Sequence, residues 1–158
     1  MSRVTLSRPQ AEVHRKLGAE GFHRAWELLD DPDRDEAGDA RMLDAAHASR
    51  YHWGIIGGPR ERAIADWQVA RVYAAINEPA LSLRFAELSL AECREHRLLD
   101  LLASAHEGIA RAHGVAGRTR LARDALRLAR ESLDAATVSA EDRRTYLAQI
   151  RDTERKIG

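Results

Sequence analysis

Two pairs of residues with the same spacing are the part of this sequence best suited to hold a ligand. Glu107 and Arg111 are four residues apart and therefore share one side of a helix, as do Trp67 and Arg71 in the preceding segment. Asp100 lies on the same helical stripe as Glu107. Two arginines beside a tryptophan commonly hold an anionic or planar ligand. A surface ion pair and a cation–π contact would explain the same residues without any ligand.

A second group of candidate residues lies earlier in the chain. Asp44, His47 and Tyr51 share a helix face, and Arg50 is beside them. A histidine held by an aspartate can transfer protons, so His47 or Glu107 could act as a general base in an enzyme. The competing interpretation is a structural network, in which His47 or Arg50 pairs with the carboxylates of the first group.

Metal and cofactor sites are not predicted. His47 and His52 are about 140° apart around a helix, so they cannot easily bind one ion. Cys93 is the single cysteine, which rules out a disulfide or a thiolate metal site within the chain. The sequence contains no phosphate-binding loop, no dinucleotide-binding glycine motif, no nucleophile elbow and no zinc-protease motif.

The composition argues against several classes of partner. The chain has 25 basic and 25 acidic residues, and they alternate without a one-signed block, so we expect no nucleic-acid binding. No apolar run is long enough to span a bilayer, and Met1–Gln10 lacks the apolar region of a signal peptide. These observations predict a cytoplasmic protein that does not bind membranes. Abundant arginine and alanine are typical of a GC-rich bacterial genome.

Strong helix formers dominate the chain, and apolar residues recur with helical spacing throughout. Gly57–Pro59, Asn77–Pro79 and Gly117 interrupt this pattern. The sequence therefore predicts a single all-α domain over residues 1–158. Its predicted helices run over residues 9–30, 36–56, 59–76, 79–96, 98–116, 119–135 and 139–158. Because the linkers are short, neighbouring helices should form antiparallel hairpins, and the polar last helix should cap them.

Two segments, 69–89 and 109–129, match at a spacing of 40 residues. Each has a small residue, a ring three positions later, a turn residue and further small residues: Ala70, Tyr73, Asn77, Ser82 and Ser89, against Ala110, His113, Gly117, Ala122 and Ala129. This pattern resembles the tetratricopeptide repeat. The resemblance implies a right-handed superhelix of about three hairpins plus a C-terminal capping helix. Residues 47–53 also resemble a segment of an uncharacterised bacterial family, which implies no activity.

Three functional hypotheses follow. The preferred one is a binding module that holds a peptide or a small polar or anionic ligand in a groove between helices 2, 3 and 5, where small residues such as Ala74 and Gly114 leave room. The alternative is a small acid/base enzyme or ligand sensor with an enclosed pocket. The third is a homodimer or larger scaffold formed through Phe22 and Trp26. The candidate ligand-binding residues are His47, Arg50, Tyr51, Trp67, Arg71, Asp100, Glu107 and Arg111.

Overall fold

Seven α-helices and one short 3-10 helix make up the part of the chain that the structure, a computed structural model, describes, which is residues 5–158. Residues 1–4, which belong to the predicted domain and to the segment examined for a signal peptide, lie outside it. The helices are α1 (Arg8–Leu29), α2 (Glu36–Ile56), α3 (Pro59–Ala75), α4 (Pro79–Glu95), α5 (Leu102–Val115), α6 (Thr119–Ala135) and α7 (Ala140–Ile157). No described residue lies in a strand, so the prediction of an all-α fold is confirmed.

The predicted chain breaks coincide with the helix ends. Ser7, Asp35 and Ser139 each cap a helix by accepting a hydrogen bond from a backbone N–H in its first turn. Asn77 and Gly117, 40 positions apart, both follow a helix and have positive φ angles of 62° and 71°. This left-handed conformation lets the next N–H reach back to a helix carbonyl, which ends α3 and α5 in the same way.

The fifth helix begins later than the sequence predicts. The structure has a 3-10 turn at Leu99–Leu101, and α5 starts only at Leu102. Arg97 has a φ of 54°, so α4 also ends in a left-handed turn, and no side chain caps the chain where it resumes. A tighter turn therefore takes the place of the predicted first turn of α5.

The helices pack as pairs, α1 with α2, α3 with α4 and α5 with α6, and α7 packs against both α5 and α6. The odd-numbered helices also contact one another in succession, from α1 to α3, from α3 to α5 and from α5 to α7. Three pairs and a final helix agree with the predicted plan, whereas the right-handed superhelix stays a prediction. No helix within residues 5–158 is long and apolar enough to cross a lipid bilayer.

Small residues allow α3 and α5 to be packed on almost every side. The core of the described residues has three clusters, around Met42 and Val69, around Leu126 and Ile150, and around Cys93 and Leu101. Alanines fill most of the remaining buried positions, so neighbouring backbones approach closely. Polar side chains on α3 and α5 therefore have few directions in which to reach solvent.

Candidate functional site

A buried carboxylate joins three helices at the centre of the molecule. Glu107 on α5 is 1% exposed. One of its oxygens accepts a hydrogen bond from the Trp67 indole N–H at 3.1 Å, and the other accepts one from Arg111 Nε at 2.9 Å. The Thr153 hydroxyl of α7 also donates to this second oxygen. We call Trp67, Arg71, Glu107, Arg111, Asp152 and Thr153 the Glu107 layer.

Trp67 and Glu107 meet because they occupy equivalent positions in consecutive hairpins, as the spacing of 40 residues predicts. A glycine next to Glu107 makes the close approach possible. A Cβ added at Gly108 would lie 3.2 Å from Trp67 Cδ1 and 3.4 Å from the Ala86 Cβ. Glycine at this position therefore keeps the indole N–H within reach of the carboxylate.

Asp152 on α7 balances the positive charge of the layer. Its carboxylate accepts hydrogen bonds from Arg111 Nη2 at 3.0 Å and from Lys156 Nζ at 3.1 Å. Burial raises the pKa of Asp152, but these two hydrogen bonds outweigh that effect and lower the pKa to about 2. Burial lowers the pKa of Arg111, whereas the charge of Glu107 and the bond to Asp152 raise it overall. Arg111 and Asp152 are therefore ionised throughout the physiological pH range.

Arg71 is the member of the layer whose polar groups are least satisfied. Its guanidinium carbon lies 5.1 Å from the ring centre of Trp26 and 5.7 Å from that of Trp67, both cation–π distances. The nearest carboxylate oxygens, on Glu107 and Asp152, are 3.8 and 3.9 Å away, and Nη1 is buried without a hydrogen-bond partner. Burial and the neighbouring Arg111 lower the pKa of Arg71. An arginine keeps its charge in proteins, so this site holds a partly buried cation with an unused donor at Nη1.

A cavity of about 520 Å³ lies beside Arg71, between α1, α3, α5 and α7. Four basic and two acidic side chains line it: Arg34, Arg71, Arg111, Lys156, Asp30 and Asp152. Arg34 is already hydrogen-bonded to Asp39 and to two carbonyls at the end of α1. Arg111 and Lys156 both donate to Asp152, so Arg71 of α3 is the uncommitted basic group, and an anionic ligand could accept its hydrogen bonds.

The predicted helix 2 residues lie elsewhere. His47 Nε2 shares a hydrogen bond of 2.9 Å with the Tyr73 hydroxyl, and Arg50 donates to Asp66 while lying 5.2 Å from the Phe85 ring centre. We call these five residues the α2 cluster. None of them lines the cavity beside Arg71, and no residue of α2 does. The cavity beside Arg71 therefore lies between α1, α3, α5 and α7, and the groove predicted between helices 2, 3 and 5 stays a prediction.

Two further candidates are also separate from Glu107. Tyr51 is 64% exposed, with its ring edge against His52. Asp100 pairs with Arg60 at 2.7 Å, and this hydrogen bond lowers its pKa. Neither His47 nor Arg50 pairs with Glu107 or Asp100, so the predicted network between the two groups does not form. The acid/base hypothesis, in which His47 and Glu107 surround one substrate, gains no support from these contacts.

Three residues of the site were not predicted from the sequence. Trp26, expected at a dimer interface, packs against Trp67 with 5.8 Å between ring centres. Asp152 and Thr153 lie on α7, which was expected only to cap the fold. One signal in the sequence could have indicated them. Ile150 and Thr153 are uncharged and three residues apart on an otherwise charged helix, which marks the side of α7 that the structure buries.

The fold and the site together define an all-helical protein with a buried charge layer beside a cavity. No protein-family model matches the chain, nor does any curated protein or solved structure. Within residues 5–158, no three histidine, cysteine or carboxylate side chains are grouped closely enough to hold a metal ion.

Proposed function

We propose that this protein is a tetratricopeptide-like binding module that holds the anionic group of a peptide or small molecule in the cavity beside Arg71. In this proposal the helix pairs form the right-handed superhelix that the repeat pattern predicts, and the odd-numbered helices line its inner face. The observation that carries the proposal is the partly buried side chain of Arg71, which lines the cavity and whose Nη1 has no hydrogen-bond partner.

A partly buried cation that makes no hydrogen bond is unfavourable, and an anion that enters the cavity would relieve this cost. Arg71 is held between Trp26 and Trp67, so its orientation is fixed before a ligand arrives. A carboxylate or phosphate placed here would gain charge-assisted hydrogen bonds worth about 1.5–3 kcal/mol each. Lys156, at the rim, could swing from Asp152 to the ligand.

Thermal shift and calorimetric titration with inorganic phosphate and with acetate test this proposal. Titration with sodium chloride at equal ionic strength separates specific binding from screening. We expect the Arg71→Gln variant to lose at least about tenfold in phosphate or acetate affinity. The Arg84→Gln variant is the matched control, because Arg84 is exposed on α4 and does not line this cavity. Equal affinity in both variants, or no response beyond that to chloride, would overturn the proposal.

A further inference from the structure

The cavity beside Arg71 has a feature that an anion alone would leave unused. Four helices end at this cavity, because the last residues of α1, α3, α5 and α7 all line it: Leu29, Ala75, Val115 and Ile157. The carboxyl end of a helix carries a partial negative charge, since its last carbonyls have no partner within the helix. Four such ends around one cavity favour a positively charged group beside them.

Arg34 shows how a cation is held at one of these helix ends. Its Nη1 donates hydrogen bonds to the carbonyl oxygens of Leu28 and Leu29, at 2.7 and 3.3 Å. The protein therefore already places one positive charge against the end of α1. A ligand amine could interact with the neighbouring helix ends in the same way.

Asp30 adds a full negative charge at the same place. It directly follows the last residue of α1, is exposed and lines the cavity. The four basic side chains of the cavity form their ion pairs with Asp39, Glu107 or Asp152, and none pairs with Asp30. The cavity therefore has two charges that the fold leaves uncommitted, one positive on Arg71 and one negative on Asp30.

Much of the remaining lining is apolar and suits the hydrocarbon part of a small molecule. Trp26, Leu29, Val115 and Ile157 are its largest apolar side chains. Packing against them removes apolar ligand surface from water, which favours binding. The volume of about 520 Å³ also lies within the range of roughly 300–1,000 Å³ that is usual for small-molecule sites.

We propose that the ligand of this cavity is a zwitterionic amino acid, whose carboxylate pairs with Arg71 while its protonated amine pairs with Asp30 beside the helix ends. This inference rests on the proposed anion site and names the chemical class of its ligand. A simple anion would use only one of the two uncommitted charges. A molecule that carries both charges uses both, and its first contact brings the second group close to its partner.

The experiment compares amino acids with carboxylates of the same chain length by calorimetry at constant ionic strength. The pairs are glycine with acetate, γ-aminobutyrate with butyrate, and ε-aminocaproate with caproate, so that the separation of the two charges varies. We expect at least one amino acid to bind about threefold to fivefold more tightly than its matched carboxylate, as an exposed ion pair would give. The inference is refuted if no amino acid binds more tightly than its matched carboxylate.

Two variants assign the preference to Asp30 and keep the two proposals separable. Asp30→Asn should reduce the preference for the amino acid to about one without weakening carboxylate binding. The matched control is Asp33→Asn, because Asp33 is exposed nearby and does not line the cavity. A preference that is the same in both variants would refute this inference alone. Carboxylate affinities that Arg71→Gln leaves unchanged would instead refute the proposed function.

Discussion

The Glu107 layer and the α2 cluster are both polar groups within a helical core, yet they differ in how completely their members are satisfied. In the α2 cluster, His47 is hydrogen-bonded to Tyr73 and Arg50 is paired with Asp66. None of these four residues lines a cavity described above. In the Glu107 layer, Arg71 has an unpartnered nitrogen, and its side chain lines a cavity of about 520 Å³. The comparison teaches that unusual residue types need not lie at a cavity, and our proposed anion site rests instead on unused hydrogen-bonding capacity in a residue that lines one.

The largest expected effect comes from removing the negative charge at the centre of the layer. Glu107→Gln should lower the free energy of unfolding by about 3 kcal/mol, because it leaves a buried arginine with less compensation. For a chain of this size, that loss corresponds to a melting temperature about 6–12 °C lower.

The control for this change is Glu131→Gln, which removes an exposed partner of Arg127 on α6. We expect it to cost less than about 1 kcal/mol, because exposed ion pairs contribute little. Thermal unfolding followed by circular dichroism measures both variants. Melting temperatures that agree within a degree would contradict the central role given to Glu107.

A smaller effect with a distinctive pH dependence is expected for Asp152. Since its pKa is lowered to about 2 in the folded protein from the ordinary 3.8, its ion pairs stabilise the fold above pH 4. That stabilisation is lost as the pH falls through 2. Asp152→Asn should therefore cost about 1 kcal/mol at pH 7, a value that allows for partial exposure. Urea unfolding at several pH values should show this difference shrinking below pH 4, and a constant difference would be inconsistent with the assignment.

The α2 cluster should respond to pH in a different range. Burial, followed by the charge of Arg50, lowers the pKa of His47 despite the opposing charge of Asp44. The unfolded chain then binds the proton more readily, so stability should fall as the pH drops below the ordinary histidine value of 6.5. His47→Gln should weaken this pH dependence between pH 7 and 5, and it should leave phosphate binding unchanged. Urea unfolding checks the first expectation and calorimetry the second. A loss of phosphate affinity would show that the two regions are coupled.

Much of the fold follows from local signals in the sequence. Helix formers, capping residues and the breaks at Gly57–Pro59 and Asn77–Pro79 fix where most helices begin and end, and these signals act within a few residues. The start of α5 differs from the predicted one because the preceding left-handed turn is formed by Arg97. Arginine is not a residue type that marks such a turn in a sequence. The contact of Trp67 with Glu107 was also predictable, since equivalent positions in stacked hairpins lie side by side.

The rest of the site depends on how distant helices cross. His47 was grouped with Glu107 because both are polar residues on largely buried helices. The side of α2 that meets Tyr73 is set by tertiary packing, which the helical period does not encode. Trp26 and Asp152 enter the site because α1 and α7 line the same cavity beside Arg71, and this requires knowing which helices are neighbours. Short-range patterns therefore identified the core of the layer but not its outer members.

The contribution of Thr153 and Asp152 to the Glu107 layer has a consequence for folding during synthesis. Ribosomes release the chain from its N-terminus at about 5–20 residues per second, so α1 to α6 emerge first. Until the segment beyond residue 153 leaves the exit tunnel, Glu107 lacks its hydroxyl donor and Arg111 lacks its second carboxylate. A chain truncated before Asp152 should thus be more susceptible to proteases than the chain of 158 residues.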